Sequence, residues 1–270
     1  MVLMLVKSMP VADVARFIGE HDTRLWRIIH HYVEGAREQL DFSEVCRVGL
    51  DETAARRGHD YITLFVDLEE RRLLFATEGK DAHTLAEFRQ DLEAHGGTAS
   101  QIQEFCSDLS PAFRRGIREQ FPKARVTFDK FHIVKLMNDA VEEVRRQEVR
   151  SRPELKGSRW LWVKNPLSLS VGQIAQYDRL HLPSLNLNTA RAYHIRLAFQ
   201  DLWLQKPEQA QGYLAEWFSW AVRSKLPPVV RFARTVREHQ DHIIAWFTSR
   251  ISNGILEGFN SLFQAAKAKA

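Results

Sequence analysis

The chain has 270 residues, 44% hydrophobic and 27% charged, with a formal net charge of +4. That is enough chain to bury a substantial core, and the mild basic excess favours acidic partners without by itself identifying a nucleic-acid binder. No apolar run reaches the ~20 residues of a membrane span, the opening "MVLMLVKSMP" is too short and wrongly charged for a signal peptide, and two cysteines, Cys46 and Cys106, are too few for a disulfide framework or a four-cysteine zinc site. The expectation is a cytoplasmic protein with reduced thiols and no membrane partner.

Within residues 1–44, "PVADVARFIGEHDTRLWRIIHHYV" predicts two short helices around Gly19, with Ala15 at the tight crossing and Leu25, Ile28 and Ile29 turned inward. That is helix-turn-helix spacing, although a plain helical hairpin has the same pattern. Arg24 and Arg27 would lie on the outer face of the second helix, able to meet phosphates or bases.

Residues 45–150 alternate strand and helix signals. "VCRVGLD" ending at Asp51, "DYITLFVDL" and "RRLLFATEG" are short runs rich in β-formers, separated by turn-like pieces such as "RRGH" and "DLEE", and they predict an antiparallel meander. Leu85, Phe88 and Leu92 then recur at helical spacing, with Gly96 and Gly97 as a stop. "IQEFCSD" predicts a fourth strand ending at Asp108, followed by a helix with Ser110 as N-cap and Pro111 at its first position. "ARVTFD" predicts a fifth strand ending at Asp129 and leading into the long amphipathic helix "KFHIVKLMNDAVEEVRRQEV". The order is βββαβαβα.

Over residues 151–245 the strands vanish and helical patterns broken by Pro183, Pro207, Pro227 and Pro228 take over, as expected of an all-helical insertion. Residues 246–270 predict a C-terminal helix containing Glu257, with Ser252 or Asn253 as its N-cap. In a sheet of this order the first and fourth strands are neighbours, so Asp51 and Asp108 would lie side by side. Paired carboxylates repel unless a cation joins them, and an all-oxygen ligand set suits Mg²⁺ or Mn²⁺. Two such ions about 3.5–4 Å apart can clamp a phosphodiester, and Glu257 from a distant helix would complete the cage. Glu52 competes with Asp51 for this role, Asp129 competes with Asp108, and Glu257 in a first turn also favours the helix dipole.

The stretches "LDETAARRGHDY", "SDLSPAF", "FPKARVTFDKFHIVK" and "SNGILEGFN" resemble DDE transposases of the bacterial insertion-sequence family called ISL-three. The resemblance covers about residues 45 to 150 and 249 to 270, and the helical stretch between is similar to the insertion these enzymes carry before their last acidic residue. It implies an α/β, ribonuclease-H-like mixed sheet, with Asp51, Asp108 and Glu257 as the catalytic and metal-holding residues by position and two Mg²⁺ or Mn²⁺ ions as cofactors. It also implies cleavage at the element's terminal inverted repeats, strand transfer into target DNA, and a homodimer on DNA. Gln264 stands where related transposases often carry a DNA-contacting Lys or Arg. Members usually carry a zinc ribbon ahead of the helix-turn-helix and more chain after the last acidic helix, so a chain shortened at both ends is expected. A catalytically inactive DNA-binding remnant and a nuclease of the same fold are the alternatives.

Further DNA contacts are expected from Lys130, His132 and Lys135 after the fifth strand, and from Asn260, one turn past Glu257, which could instead steady that glutamate. The run "VRSKLPPVVRFARTVRE" places Arg223, Lys225, Arg231, Arg234 and Arg237 ahead of any acid, which suits a phosphate-tracking surface or a solvated helix face. Six of the seven tryptophans, Trp160, Trp162, Trp203, Trp217, Trp220 and Trp246, fall in the helical stretch, where core packing or stacking on a flipped base would use them.

Overall fold

Five strands form one mixed sheet in the order β3-β2-β1-β4-β5: β1 (Arg47–Ala54), β2 (Tyr61–Asp67), β3 (Arg72–Glu78), β4 (Glu104–Ser107) and β5 (Arg125–Phe128). β1 and β2 pair antiparallel, as do β2 and β3, while β1 and β4 run parallel. This is the α/β, ribonuclease-H-like arrangement expected from βββαβαβα. The computed structural model describes residues 1–55, 60–181 and 185–269, and the expected turn at 56–59 and the break at Pro183 lie outside the described residues.

The chain divides into two compact units, residues 1–126 with 251–270, and residues 127–250. In the first, α1 (Val2–Leu5), α2 (Val11–Ile18) and α3 (Asp22–Arg37) enclose a small core of Val11, Val14, Ala15 and Leu25. Gly19 ends α2 at φ 73°, a left-handed value that glycine adopts without a Cβ penalty. Ile29 packs on that core as expected, whereas Ile28 is only half-buried and does not join it.

One face of the sheet presents Val48, Leu50, Phe65, Leu74 and Phe105 to α4 (His83–Ala94) and α5 (Pro111–Gln120), which contribute Leu85, Phe88, Leu92, Phe113 and Ile117. Phe65 stacks on Phe88 with ring centroids 4.3 Å apart. The other face presents Leu64 and Val66, alternate residues of the same strand, to Leu256 of α14 (Gly254–Lys269). β2 is therefore buried on both faces, which is why it reads as a continuous apolar run.

One expected feature is refined and two hold. β1 does not end at Asp51 but continues to Ala54, because Thr63, Ile62 and Tyr61 of β2 extend the ladder opposite Glu52, Thr53 and Ala54. Asp67 does end its strand, and its Oδ1 accepts the N–H groups of Glu69 and Glu70, closing the turn to β3. Ser110 caps α5 as expected, accepting from the N–H of Phe113, with Pro111 at the first position.

The second unit is helical: α6 (Lys130–Glu148), α7 (Arg159–Val163), α8 (Val171–Leu180), α9 (Asn188–Asp201), α10 (Pro207–Arg223), α11 (Pro227–Glu238), α12 (Gln240–Ile244) and α13 (Trp246–Ser249). α9 buries residues all round, including Tyr193, Ile195, Arg196 and Phe199, and so runs through the middle of the unit. Trp162 and Trp217 are buried, their indole N–H groups donating to Ser158 Oγ and the Ile195 carbonyl, whereas Trp160 and Trp220 are exposed.

Glu142 is buried on α6 and takes a two-pronged bond from Arg145, at 2.8 Å to each oxygen, with Arg146 at 3.3 Å. The Arg145 hydrogen bonds hold its carboxyl below the ordinary glutamate range. A depressed carboxylate contributes stability above its unfolded pKa, near 4.3, and loses it as pH falls through the folded value. Glu142→Gln is expected to cost ~2 kcal/mol at neutral pH in urea unfolding, because it removes the charge that the part-buried Arg145 guanidinium pairs with, and to flatten the acid limb of stability below about pH 4.3.

Candidate active site

β1 and β4 position the first two carboxylates. Their parallel register pairs Val48 with Phe105 and Gly49 with Cys106. The pairing runs to Gly49 and Cys106, and the same register carried two residues further would set Asp51 opposite Asp108 at the strand spacing of about 4.8 Å. Alternation places Asp51 on the same face as Gly49, the face covered by α14. The Asp51 carboxylate is fixed on both sides: Oδ1 accepts the N–H of Glu52 at 2.9 Å and Oδ2 accepts Asn260 Nδ2 at 2.9 Å. Asp108 follows β4 directly, and its Oδ1 accepts the N–H of Ser110 at 2.9 Å, so this aspartate also shapes the turn into α5.

The third carboxylate is carried by α14, which a row of amide side chains holds in register with β1. Asn253, just before the helix, donates to the Leu50 carbonyl at 3.0 Å. Asn260 donates to Asp51, and Gln264 donates to Thr53 Oγ1 at 3.0 Å and the Ala54 carbonyl at 2.9 Å. Asn253, Glu257, Asn260 and Gln264 are spaced three or four residues apart and so share one helix face. Glu257 thus occupies the stripe that follows β1, one turn from the residue bonded to Asp51, and is itself exposed. Among the described residues no group of three or more His, Cys, Asp or Glu side chains is disposed to hold a metal ion. The structure therefore brings Asp51 and Asp108 to neighbouring positions and Glu257 to the same face, with its carboxylate turned to solvent.

Gly49 makes this close approach of α14 possible. A Cβ there would meet Leu68 Cδ2 at 2.8 Å, Asn253 Oδ1 at 2.9 Å and Leu256 Cδ1 at 3.1 Å. Gly49→Val is expected to destabilise the fold by about 1–3 kcal/mol and to increase hydrogen exchange across the first turns of α14.

The competing acids lie elsewhere. Glu52 points to the opposite face of β1 by alternation. Asp129 follows β5, which lies beyond β4 from β1, and its Oδ2 is 3.1 Å from His132 Nδ1. The expected cations are dispersed. Arg24 pairs with Glu20 at 2.8 Å and Arg27 is exposed on α3. Lys130 lies over the Trp246 ring at 5.0 Å, and Lys135 is exposed on α6. Arg231 pairs with solvent-facing Glu143 at 2.6 Å, and Arg234 is exposed one turn along α11. Asn260 and Gln264 spend their side-chain N–H groups on β1. Sequence spacing relates Asn260 to Glu257 or to DNA and not to Asp51, because nothing local links residues 209 positions apart. No helix among the described residues is long and apolar enough to cross a membrane.

Comparison with known proteins finds matches among transposases. A family profile described as Transposase matches residues 48–270, and one described as Helix-turn-helix domain of transposase family ISL3 matches residues 1–33. The chain is 27% identical to the transposase for insertion sequence element IS1001 of Bordetella parapertussis over 277 residues, 98% of this chain and 67% of the relative. It is also 27% identical to the transposase for insertion sequence element IS1557 of Mycobacterium tuberculosis over 275 residues, 91% of this chain and 60% of the relative. The chain thus spans 60% to 67% of the length of these curated relatives.

Proposed function

The chain belongs to the ISL3 family of DDE transposases, and on that premise we propose that it cleaves DNA at the terminal inverted repeats of an insertion sequence and joins the freed ends to target DNA. The observation that carries this reading is the amide row of α14, which sets Glu257 on the face of β1 that bears Asp51, beside the strand that leads to Asp108.

We assign catalysis to residues 45–150 with 246–270, DNA recognition to residues 1–44, and a helical insertion to residues 151–245. Asp51, Asp108 and Glu257 would hold two Mg²⁺ or Mn²⁺ ions, for which an all-carboxylate donor set of hard oxygens is suited. When bound, such ions neutralise charge on the attacking and leaving oxygens of an in-line displacement. Asn260 orients Asp51 through its Oδ2. Arg24 and Arg27 on α3 would meet the duplex, whose phosphates attract them in a salt-dependent way. Cleavage by water frees a 3′ hydroxyl, and that hydroxyl then attacks a target phosphodiester, exchanging one ester bond for another. A homodimer would bring two element ends together, in the cytoplasm where the DNA lies.

The experiment is an assay on duplexes carrying the inverted repeats that flank the coding sequence, with Mg²⁺ or Mn²⁺, scored for cleavage and for joining of pre-cut ends. Joining is the expected result. Cleavage without joining would assign a nuclease, and binding with neither would assign a DNA-binding remnant.

A further inference from the structure

A second feature lies in the helical unit. A cleft of about 810 Å³ opens between the end of α6, the start of α9 and the turn joining α10 to α11. Arg152, Arg191, Arg223 and Lys225 line it, four cations drawn from three separated stretches of chain. Its one acidic lining residue, Glu148, is committed to the α9 N-terminus. Its Oε1 accepts the N–H of Asn188 at 2.8 Å, and its Oε2 accepts the N–H of Thr189 at 2.8 Å and the Thr189 hydroxyl at 2.7 Å. The cleft is therefore strongly positive, and its carboxylate is already satisfied by donors other than these cations.

The cations are held in two ways. Arg191 is fixed, donating to Asn188 Oδ1 at 3.1 Å and to the Ser224 carbonyl at 2.8 Å, which leaves further guanidinium N–H groups for a ligand. Arg152 donates to the Leu185 carbonyl and lies 3.6 Å from Glu154. Arg223 and Lys225 are exposed and make no ion pair among the described residues. Lys225 also has φ 57°, a left-handed conformation at a helix end where glycine is the usual occupant. The turn is built to hold it there: Ser224 Oγ donates to the Ala221 carbonyl and accepts the N–H of Leu226, while Arg191 clamps the Ser224 carbonyl. A lysine kept in a glycine conformation, with its charge in a cleft of like charges, is a cost to folding that a bound anion would offset.

We propose that this cleft binds the phosphate backbone of a DNA segment. The inference rests on the reading of the chain as a DNA-handling enzyme, and the cleft is larger than a single phosphate group requires. Free phosphate or a nucleotide shares the same chemistry, so the test separates these sources.

Binding of the 270-residue chain to a random-sequence duplex is measured across a salt series, together with titrations of inorganic phosphate and a mononucleotide. Each lost phosphate contact lowers the slope of log K against log salt by about 0.9, so Arg223→Gln with Lys225→Gln should lower it by about 1.8. Lys225→Gly is the discriminating variant: relief of the backbone conformation should raise Tm while the slope falls by about 0.9. Unchanged slopes in both variants would overturn the proposal. So would saturable phosphate or nucleotide binding that the variants abolish while DNA slopes stay the same. If the parent chain fails to cleave DNA yet the cleft variants lose slope, the catalytic reading fails and the cleft stands.

Discussion

Asp51→Asn, Asp108→Asn and Glu257→Gln should each lower metal-dependent strand cleavage by ~10³-fold or more, the effect of losing about 4 kcal/mol of transition-state charge stabilisation. The substitutions are chosen so that the fold survives. An asparagine at 108 retains an oxygen to accept the N–H of Ser110 and so keeps the turn into α5. At 51 an amide oxygen can still accept from Glu52, and the Asn260 amide can rotate to accept from the new NH₂ group. Glu257 is exposed and anchors nothing in the core. Affinity for duplex DNA, measured by fluorescence anisotropy, should therefore stay within about threefold, a difference of less than 1 kcal/mol. A variant that still cleaves at the parental rate removes that residue from the chemistry.

Asn260→Ala is the second large effect expected, about 10–100-fold in cleavage, because residues that orient a metal-holding carboxylate typically matter by that much. The alanine removes the amide that donates to Asp51 Oδ2, loosening the carboxylate about its side-chain torsions. It also removes Asn260 Oδ1, which is buried without a hydrogen-bond partner among the described residues and so is placed to accept from a ligand or a bound water. A steady-state titration with Mn²⁺ separates this role from simple loss of structure. An orienting role raises the Mn²⁺ concentration needed for half-maximal rate and allows partial recovery at high Mn²⁺. Unfolding of α14 would instead lower the rate uniformly and appear as a fall in Tm. Asn260→Asp should be worse than alanine, since it sets a second carboxylate against Asp51.

Much of this was legible in the sequence, for identifiable reasons. The strands around Leu50, Phe65, Phe105 and Phe128 are short runs of β-formers, and their order fixes β1 beside β4, which brings Asp51 and Asp108 together without knowledge of any side-chain contact. Ser110 and Pro111 announce α5 through local capping chemistry. The extension of β1 past Asp51 was not legible, because Glu52 and Ala54 are weak strand formers that depend on β2 for pairing. Ile28 illustrates a similar limit: helical spacing marks an inward face, but only the neighbouring helices decide how far round it the core reaches. The amide row of α14 depends on contacts across more than 200 residues, so nothing local to Asn253, Asn260 or Gln264 reveals it. For the same reason nothing local to Arg152 or Arg191 links them to Arg223 and Lys225; the convergence of α6, α9 and α10 does.

The most direct measurement is Mn²⁺ binding, followed by electron paramagnetic resonance in the presence of a pre-cut duplex, for the parent chain and for Glu257→Gln. Saturable Mn²⁺ binding is expected in the parent and should weaken at least tenfold, about 1.4 kcal/mol, when Glu257 loses its charge. Undiminished binding in Glu257→Gln, together with undiminished cleavage, would show that α14 brings no ligand to Asp51 and Asp108 and would contradict the account.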